Sequence, residues 1–402
     1  MIKMNKLEKM YCRAYQGVFR ILIPVLPYRK PKMLGSTKDV AGILNKKIID
    51  SVLLVTDPMI RKLGITADLE KSLKCAGIKL TVFDRTVANP TTDNVEEAYG
   101  LFRDNGCKAL IGFGGGSSMD CAKAVGAQSV HPNKSLGKME GILKVHARLP
   151  LLIAIPTTAG TGSETTIAAV IVDSKTRHKY PINDFCLIPR YAVLDPEVTK
   201  SLPPFVTATT GMDALTHAVE AYIGNSTTPG TRKDALRATN LIFRYIRKAY
   251  ADGNDMQARK QMIYASYLAG CAFTKSYVGY VHAVAHSLGG KYNIAHGLAN
   301  AVLLPYVLEA YGESAYKKLH ELADEACISD IGDNDESGAK KFIAAVRLLQ
   351  LDLGIGDKLD GIREEDIDEL AAYADKEGNP LYPVPKLMDK TELAQFYRDV
   401  MK

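Results

Sequence analysis

The sequence predicts an α/β N-terminal domain built on a parallel sheet, followed by an all-α C-terminal domain. Three observations predict it. The chain has 402 residues, 47% of them apolar, which is more than one ordinary core takes up. From about residue 40, short apolar runs alternate with segments of helical period. Beyond Leu202-Pro203-Pro204 the strand pattern stops and helical period continues. The expected division is a basic extension at 1–30, the α/β domain at 31–201 and the helical domain at 202–402.

The basic extension comes first. Residues 1–32 hold eight cations (Lys3, Lys6, Lys9, Arg13, Arg20, Arg29, Lys30, Lys32) against Glu8 alone. The whole chain is +6, so the remaining residues sum to −1. A body that close to neutral has no basic stripe for nucleic acid. Val18–Leu26 is apolar, but Arg20 interrupts it, Pro24 and Pro27 break it, and no A-x-A site follows, so a cleaved leader is not expected. The segment reads as a basic lead-in folded partly onto the body, or as an amphipathic helix on a membrane surface or a neighbouring subunit. No run of 18 apolar residues predicts a transmembrane span. Seven cysteines, an odd number with no C-x-x-C pair, argue against a disulfide framework and for a reducing, cytoplasmic setting.

Strands are expected at Ile48–Thr56, Ile78–Phe83, Lys108–Phe113 and Leu149–Ile155. Helices are expected at Pro58–Cys75 and Asp93–Asn105, the second capped by Gly106. The third strand runs into Gly114-Gly115-Gly116-Ser117, where another helix opens. Glycines let backbone N–H groups approach a phosphate, and the helix N-terminus adds partial positive charge. The loop fits neither G-x-G-x-x-G nor the Walker pattern, so it is a phosphate loop of another type. Asp57 ends the first strand. A carboxylate there accepts adenosine-ribose hydroxyls and repels a 2′-phosphate, favouring NAD over NADP; it also suits the N-cap of a helix starting at Pro58.

The helical half carries a metal pattern. Asp213 and His217 lie four apart, which puts them on one face about 6 Å apart along the axis. His282 and His286 repeat the spacing, and His296 follows. One carboxylate and three imidazoles suit Fe²⁺ or Zn²⁺ and leave room for a substrate oxygen. Spacing does not separate His282 from His286: one binds metal and the other sits a turn nearer the reacting atoms.

Four motifs then align in order: GFGGGSSMDCAK (112–123), IPTTAGTGSE (155–164), GMDALTHAVEAY (211–222) and GYVHAVAHSLGGKYNIAHGLANA (279–301). With them the chain resembles the iron-containing (group III) alcohol dehydrogenases, from about residue 40 to 400. The resemblance implies a dehydroquinate synthase-like fold with an NAD-binding α/β domain. It implies metal ligation by Asp213, His217, His282 and His296, with His286 near the nicotinamide. It implies pyrophosphate contacts from Gly115, Gly116 and Ser117. Thr157, Thr158, Asn89 and Lys179 would also touch the cofactor, and Phe273 would line the substrate pocket. Departures are Ser118 and Ser287, where the family usually has proline, and Thr274 with Lys275, where an asparagine pair is common. Lys275 is expected to give the pocket a positive charge for an acidic or phosphorylated substrate group. Residues 1–22 or so extend beyond the usual family start.

The expected reaction is reversible hydride transfer between a primary alcohol or aldehyde and NAD(H), with Fe²⁺, or Zn²⁺, polarising the substrate oxygen. The alternative on the same fold is a glycerol dehydrogenase-like enzyme acting on a polyol or a hydroxy acid. A homodimer is expected from the family and from the usual symmetry of oligomers.

Overall fold

The computed structural model describes residues 4–402, which form two compact units. One unit is Pro27–Ser201. Its main sheet has six strands: β1 (Lys32–Leu34), β2 (Ser51–Val55), β3 (Lys79–Phe83), β4 (Ala109–Gly114), β6 (Leu151–Pro156) and β9 (Tyr191–Val193). All pair in parallel, in the order β1-β9-β6-β4-β2-β3. Every residue of β2 and β4 is buried, as a strand covered on both faces requires. The period of two divides them between two cores. Leu53, Val55 and Leu110 join Val95, Ala98 and Val125 on one face. Val52, Leu54 and Ile111 join Val40, Leu44 and Leu73 on the other.

Two expectations change in detail. Pro58–Cys75 is not one helix but two, Pro58–Lys62 and Ala67–Cys75, broken at Gly64, which has φ +67°. The first strand begins at Ser51 because Ile48 takes a positive φ in the turn before it. The sequence reading missed a second sheet, β5 (Gly141–Ile142), β7 (Ala168–Val172) and β8 (Lys179–Asn183), ordered β5-β8-β7. Its strands are short, and Pro181 in β8 hides the pattern.

A buried cation ties the helix Gly116–Val130 to the chain after β6. Lys123 Nζ, fully buried, donates to Ser163 Oγ at 2.9 Å, Thr166 Oγ1 at 2.8 Å and Ala168 O at 2.7 Å. Asp120 lies 3.5 Å away and accepts from Ser163 Oγ and Val170 N.

The other unit comprises residues 4–26 with Leu202–Lys402. It is helical: Lys6–Leu22, Pro204–Ile223, Pro229–Ala251, Met256–Ser276, Tyr280–Tyr292, His296–Tyr311, Tyr316–Glu325, Asp335–Asp352, Ile367–Gly378 and Lys390–Val400. Its starts are written in the sequence. Pro204 and Pro229 occupy the first helical turn, and Thr228, Asn334 and Asp389 make capping boxes. The basic N-terminal segment is thus partly a helix of this unit. Arg13 donates to the carbonyls of Val384 and Pro385, and Gln16 to those of Pro380 and Tyr382.

Replacing Lys123 with Met strands the Asp120 carboxylate and the oxygens around it. The unfolding free energy in urea is expected to fall by about 3 kcal/mol. A fall below about 1 kcal/mol would show the network to be dispensable.

Candidate functional site

The helical unit brings one carboxylate and three imidazoles together. Asp213, His217, His282 and His296 each present a ligand atom, and these four atoms lie within 4.8 Å of one another. The first two sit one turn apart on Pro204–Ile223, His282 in the first turn of Tyr280–Tyr292, and His296 at the start of His296–Tyr311. The last position depends on Gly297. A Cβ there would lie 2.5 Å from the Thr209 carbonyl oxygen, so only glycine lets this helix approach Pro204–Ile223 closely enough. His296 Nε2 then reaches 3.4 Å from Asp213 Oδ1.

Two side chains that the sequence reading did not single out hold the ligands. Glu220 is buried, and its Oε2 lies 2.6 Å from His282 Nδ1. It also accepts from Gly279 N at 2.9 Å and Val281 N at 2.8 Å. A Cβ on Gly279 would stand 2.7 Å from Glu220 Oε1, so glycine is needed there too. Burial pushes the Glu220 carboxyl above its usual range, against the pull of those N–H groups. Burial, followed by the neighbouring imidazoles, holds His282 well below the ordinary histidine value. The 2.6 Å contact orients the His282 ring, and the tautomer that donates Nδ1–H to Oε2 is the one that would leave Nε2 for a metal. Glu220 lies three residues after His217, on the same helix face.

Asn300 is the second. Its Nδ2 lies 2.7 Å from Asp213 Oδ1, 3.2 Å from His282 Nε2 and 3.0 Å from His296 Nε2. It follows His296 by four residues, the spacing already noted for Asp213 and His217. The donor set fits a divalent transition metal: a carboxylate oxygen and three imidazole nitrogens in a largely buried pocket.

His286 stands beside this group, its ring 5.2 Å from that of His296. Its Nδ1 lies 2.6 Å from Glu377 Oε1, which also accepts from Tyr382 Oη at 2.6 Å. Burial would raise the Glu377 carboxyl, but His286 and Tyr382 hold it below its usual range. The Phe273 ring stacks on His217 at 4.0 Å. Lys275, two residues on in the same helix, points about 200° away from Phe273. Ser287, at the position usually held by proline, bonds Val284 O and Tyr397 Oη through its hydroxyl, and proline would lack both bonds.

In the α/β unit the expected cofactor residues gather at the C-terminal ends of β2 and β4, where the strand order switches direction. Gly114 has φ +149°, and a Cβ on it would lie 2.6 Å from Ser118 Oγ. The Thr157 N–H donates to Gly114 O at 3.0 Å, seating the 156–163 loop beside the glycines. Gly115 caps the helix that begins at Gly116, and Ser117 Oγ accepts from Asn89 N at 3.2 Å. Lys179 Nζ donates to Asn89 Oδ1 at 2.7 Å. Thr158 Oγ1 is buried without a protein partner among the described residues. Asp57 Oδ1 caps its helix through Met59 N and Ile60 N, while Oδ2 takes a 3.4 Å contact from Ser118 Oγ.

Two substitutions test the metal pocket. His282→Ala is expected to lose bound metal, measured as stoichiometry after anaerobic purification; full retention would contradict its assignment as a ligand. Glu220→Gln, read by competition with a chelating dye, is expected to weaken metal binding by about 10–100-fold. Unchanged affinity would show that Glu220 does not set the ligand.

Comparison with known proteins agrees with this geometry. Residues 33–196 match the model of the iron-containing alcohol dehydrogenases, and residues 207–401 match the C-terminal model of the Fe-containing alcohol dehydrogenase family. The 1,3-propanediol dehydrogenase of Klebsiella pneumoniae is 37% identical over 95% of this chain and 98% of its own. The NAD-dependent methanol dehydrogenase of Bacillus methanolicus is 36% identical over 85% of this chain and 90% of its own. A solved 1,3-propanediol oxidoreductase superposes with a TM-score of 0.89 at 36% identity, over 93% of this chain and 98% of that one. The chain belongs to the iron-containing alcohol dehydrogenase family.

Proposed function

We propose that this protein is an NAD-dependent alcohol dehydrogenase that interconverts a primary alcohol and its aldehyde. The observation that carries the reading is the convergence of Asp213, His217, His282 and His296 from three helices of a family member. These four residues would hold Fe²⁺ in this reading, and Zn²⁺ fits the same donors. When bound, the cation supplies Lewis-acid polarisation of the substrate oxygen, and NAD accepts or returns the hydride.

The chain's own residues supply the rest. Phe273 forms an apolar wall beside His217. Glu377 takes the Nδ1–H of His286 and fixes its tautomer, so Nε2 is the atom that takes the hydroxyl proton during oxidation. Gly114, Gly115, Gly116 and Ser117 would hold the pyrophosphate on backbone N–H groups, with Thr157, Thr158, Asn89 and Lys179 around it. Asp57, whose Oδ2 takes only a weak contact from Ser118, would accept a ribose hydroxyl, which favours NAD; the Bacillus methanolicus relative is an NAD-dependent enzyme. We place residues 31–201 as the NAD-binding domain and 202–402 as the metal-binding domain, in a cytoplasmic homodimer.

The direct test is anaerobic purification with iron, followed by NADH production from a panel of primary alcohols, glycerol and hydroxy acids. NADH from primary alcohols supports the reading; NADH from glycerol or hydroxy acids alone would overturn it. Asp57→Gly is expected to raise the NADP/NAD ratio of kcat/KM by at least about tenfold. His286→Ala is expected to keep its metal while kcat falls about 10²-fold. An unchanged kcat would remove His286 from the proton path. For Lys275, the ratio of hydroxy-acid to alkanol activity is compared between wild type and Lys275→Met. Equal ratios would remove Lys275 from the pocket.

A further inference from the structure

The helix Lys6–Leu22 is turned inside out relative to an ordinary surface helix. It faces the rest of its unit with Cys12, Gln16 and the edge of Phe19, and Arg13 and Gln16 are bonded to backbone carbonyls between Pro380 and Pro385. These bonds fix its rotation. The opposite face is apolar and open: Leu7 is 71% exposed, Val18 60% and Ile21 76%. Eight of the nineteen exposed large apolar side chains among the described residues lie between Leu7 and Val25, too local a concentration to be scattered surface residues.

The shape and edges of this face select its occupant. Leu7, Tyr11, Ala14, Val18 and Ile21 follow the alternating four-and-three spacing of a two-helix seam. The face is wider than such a seam. Met10 extends it on one side, and Tyr15 and Leu22 on the other, to an arc of about 140°. Those flanks are where a helix pair carries the charges that set its register, and here they carry none. Cations lie to one side of the arc: Lys6 is about 40° beyond Met10, Arg20 about 80° and Lys9 about 100°, and all three are exposed. The helix's lone acid, Glu8, is engaged in the N-terminal capping box. A broad uncharged face flanked on one side by basic side chains is complementary to a lipid surface bearing anionic headgroups, which long lysine and arginine side chains reach by snorkelling.

We infer that Lys6–Leu22 is an interfacial helix that docks the protein on an anionic membrane surface, lying in the plane of the headgroups. No helix among the described residues is long and apolar enough to cross a membrane, so the association would be peripheral. The test is flotation of the full-length, metal-loaded protein with vesicles of mixed phosphatidylglycerol and phosphatidylcholine, beside vesicles of phosphatidylcholine alone. The protein is expected to float with the mixed vesicles, less so at high salt, and to stay behind with the neutral ones. The double substitution Val18→Glu with Ile21→Glu is expected to lower binding at least about tenfold, and the triple reversal Lys6→Glu, Lys9→Glu, Arg20→Glu is expected to do the same. Melting temperatures within about 2 °C of wild type would show that each variant remains folded. Absence of wild-type flotation would overturn the proposal, as would binding that both variants retain. A dimer seen by sedimentation velocity, lost in Val18→Glu with Ile21→Glu while vesicles are ignored, would also overturn it and assign the face to a second copy of the chain.

Discussion

Three imidazoles and a carboxylate, all but His296 buried, set the terms for the helical unit. Buried polar groups are costly unless each has a partner, and here the partners are specific atoms. Glu220 takes the inner nitrogen of His282, and the Asn300 amide faces Asp213, His282 and His296. One ligand atom from each of the four residues lies within 4.8 Å of the others, with Asn300 Nδ2 beside Asp213 Oδ1, His282 Nε2 and His296 Nε2. Positions far from the chemistry follow from this constraint. Gly297 is needed because the helix bearing His296 must touch the Thr209 carbonyl, and Gly279 because backbone N–H groups must reach Glu220.

The nucleotide loop obeys the same logic with backbone in place of side chains. Gly114 carries a φ that other residues avoid, and it leaves room for Ser118 above Asp57. Lys123, buried one helical turn beyond Met119, fastens this helix to the segment after the 156–163 loop. A rigid, fully hydrogen-bonded support of this kind fixes where backbone N–H groups point without touching a ligand itself.

Much of this was legible in the sequence. The buried strands read directly because they are almost wholly apolar; four-residue spacings on apolar helices marked the histidines and Asp213, and the family resemblance chose His282 over His286. The second sheet did not, because β8 mixes Lys179 and Pro181 with apolar residues and pairs only over short strands. Glu220, Asn300 and Glu377 were missed for another reason. A glutamate in a helical pattern ordinarily reads as a solvated face, and only the packing shows that Glu220 points inward at His282. Glu377 is 91 residues from His286, a distance no local pattern spans. The role of the basic N-terminal residues was also hidden, since charge and apolar content do not say which helix face turns inward.

The central claim is that Asp213, His217, His282 and His296 bind one divalent cation together. X-ray absorption at the metal edge of the anaerobically prepared protein tests it most directly. The account predicts a first shell of nitrogen and oxygen only, at about 2.0–2.2 Å, with the outer-shell scattering of three imidazoles. Sulfur in the first shell, or the signature of a single imidazole, would contradict it.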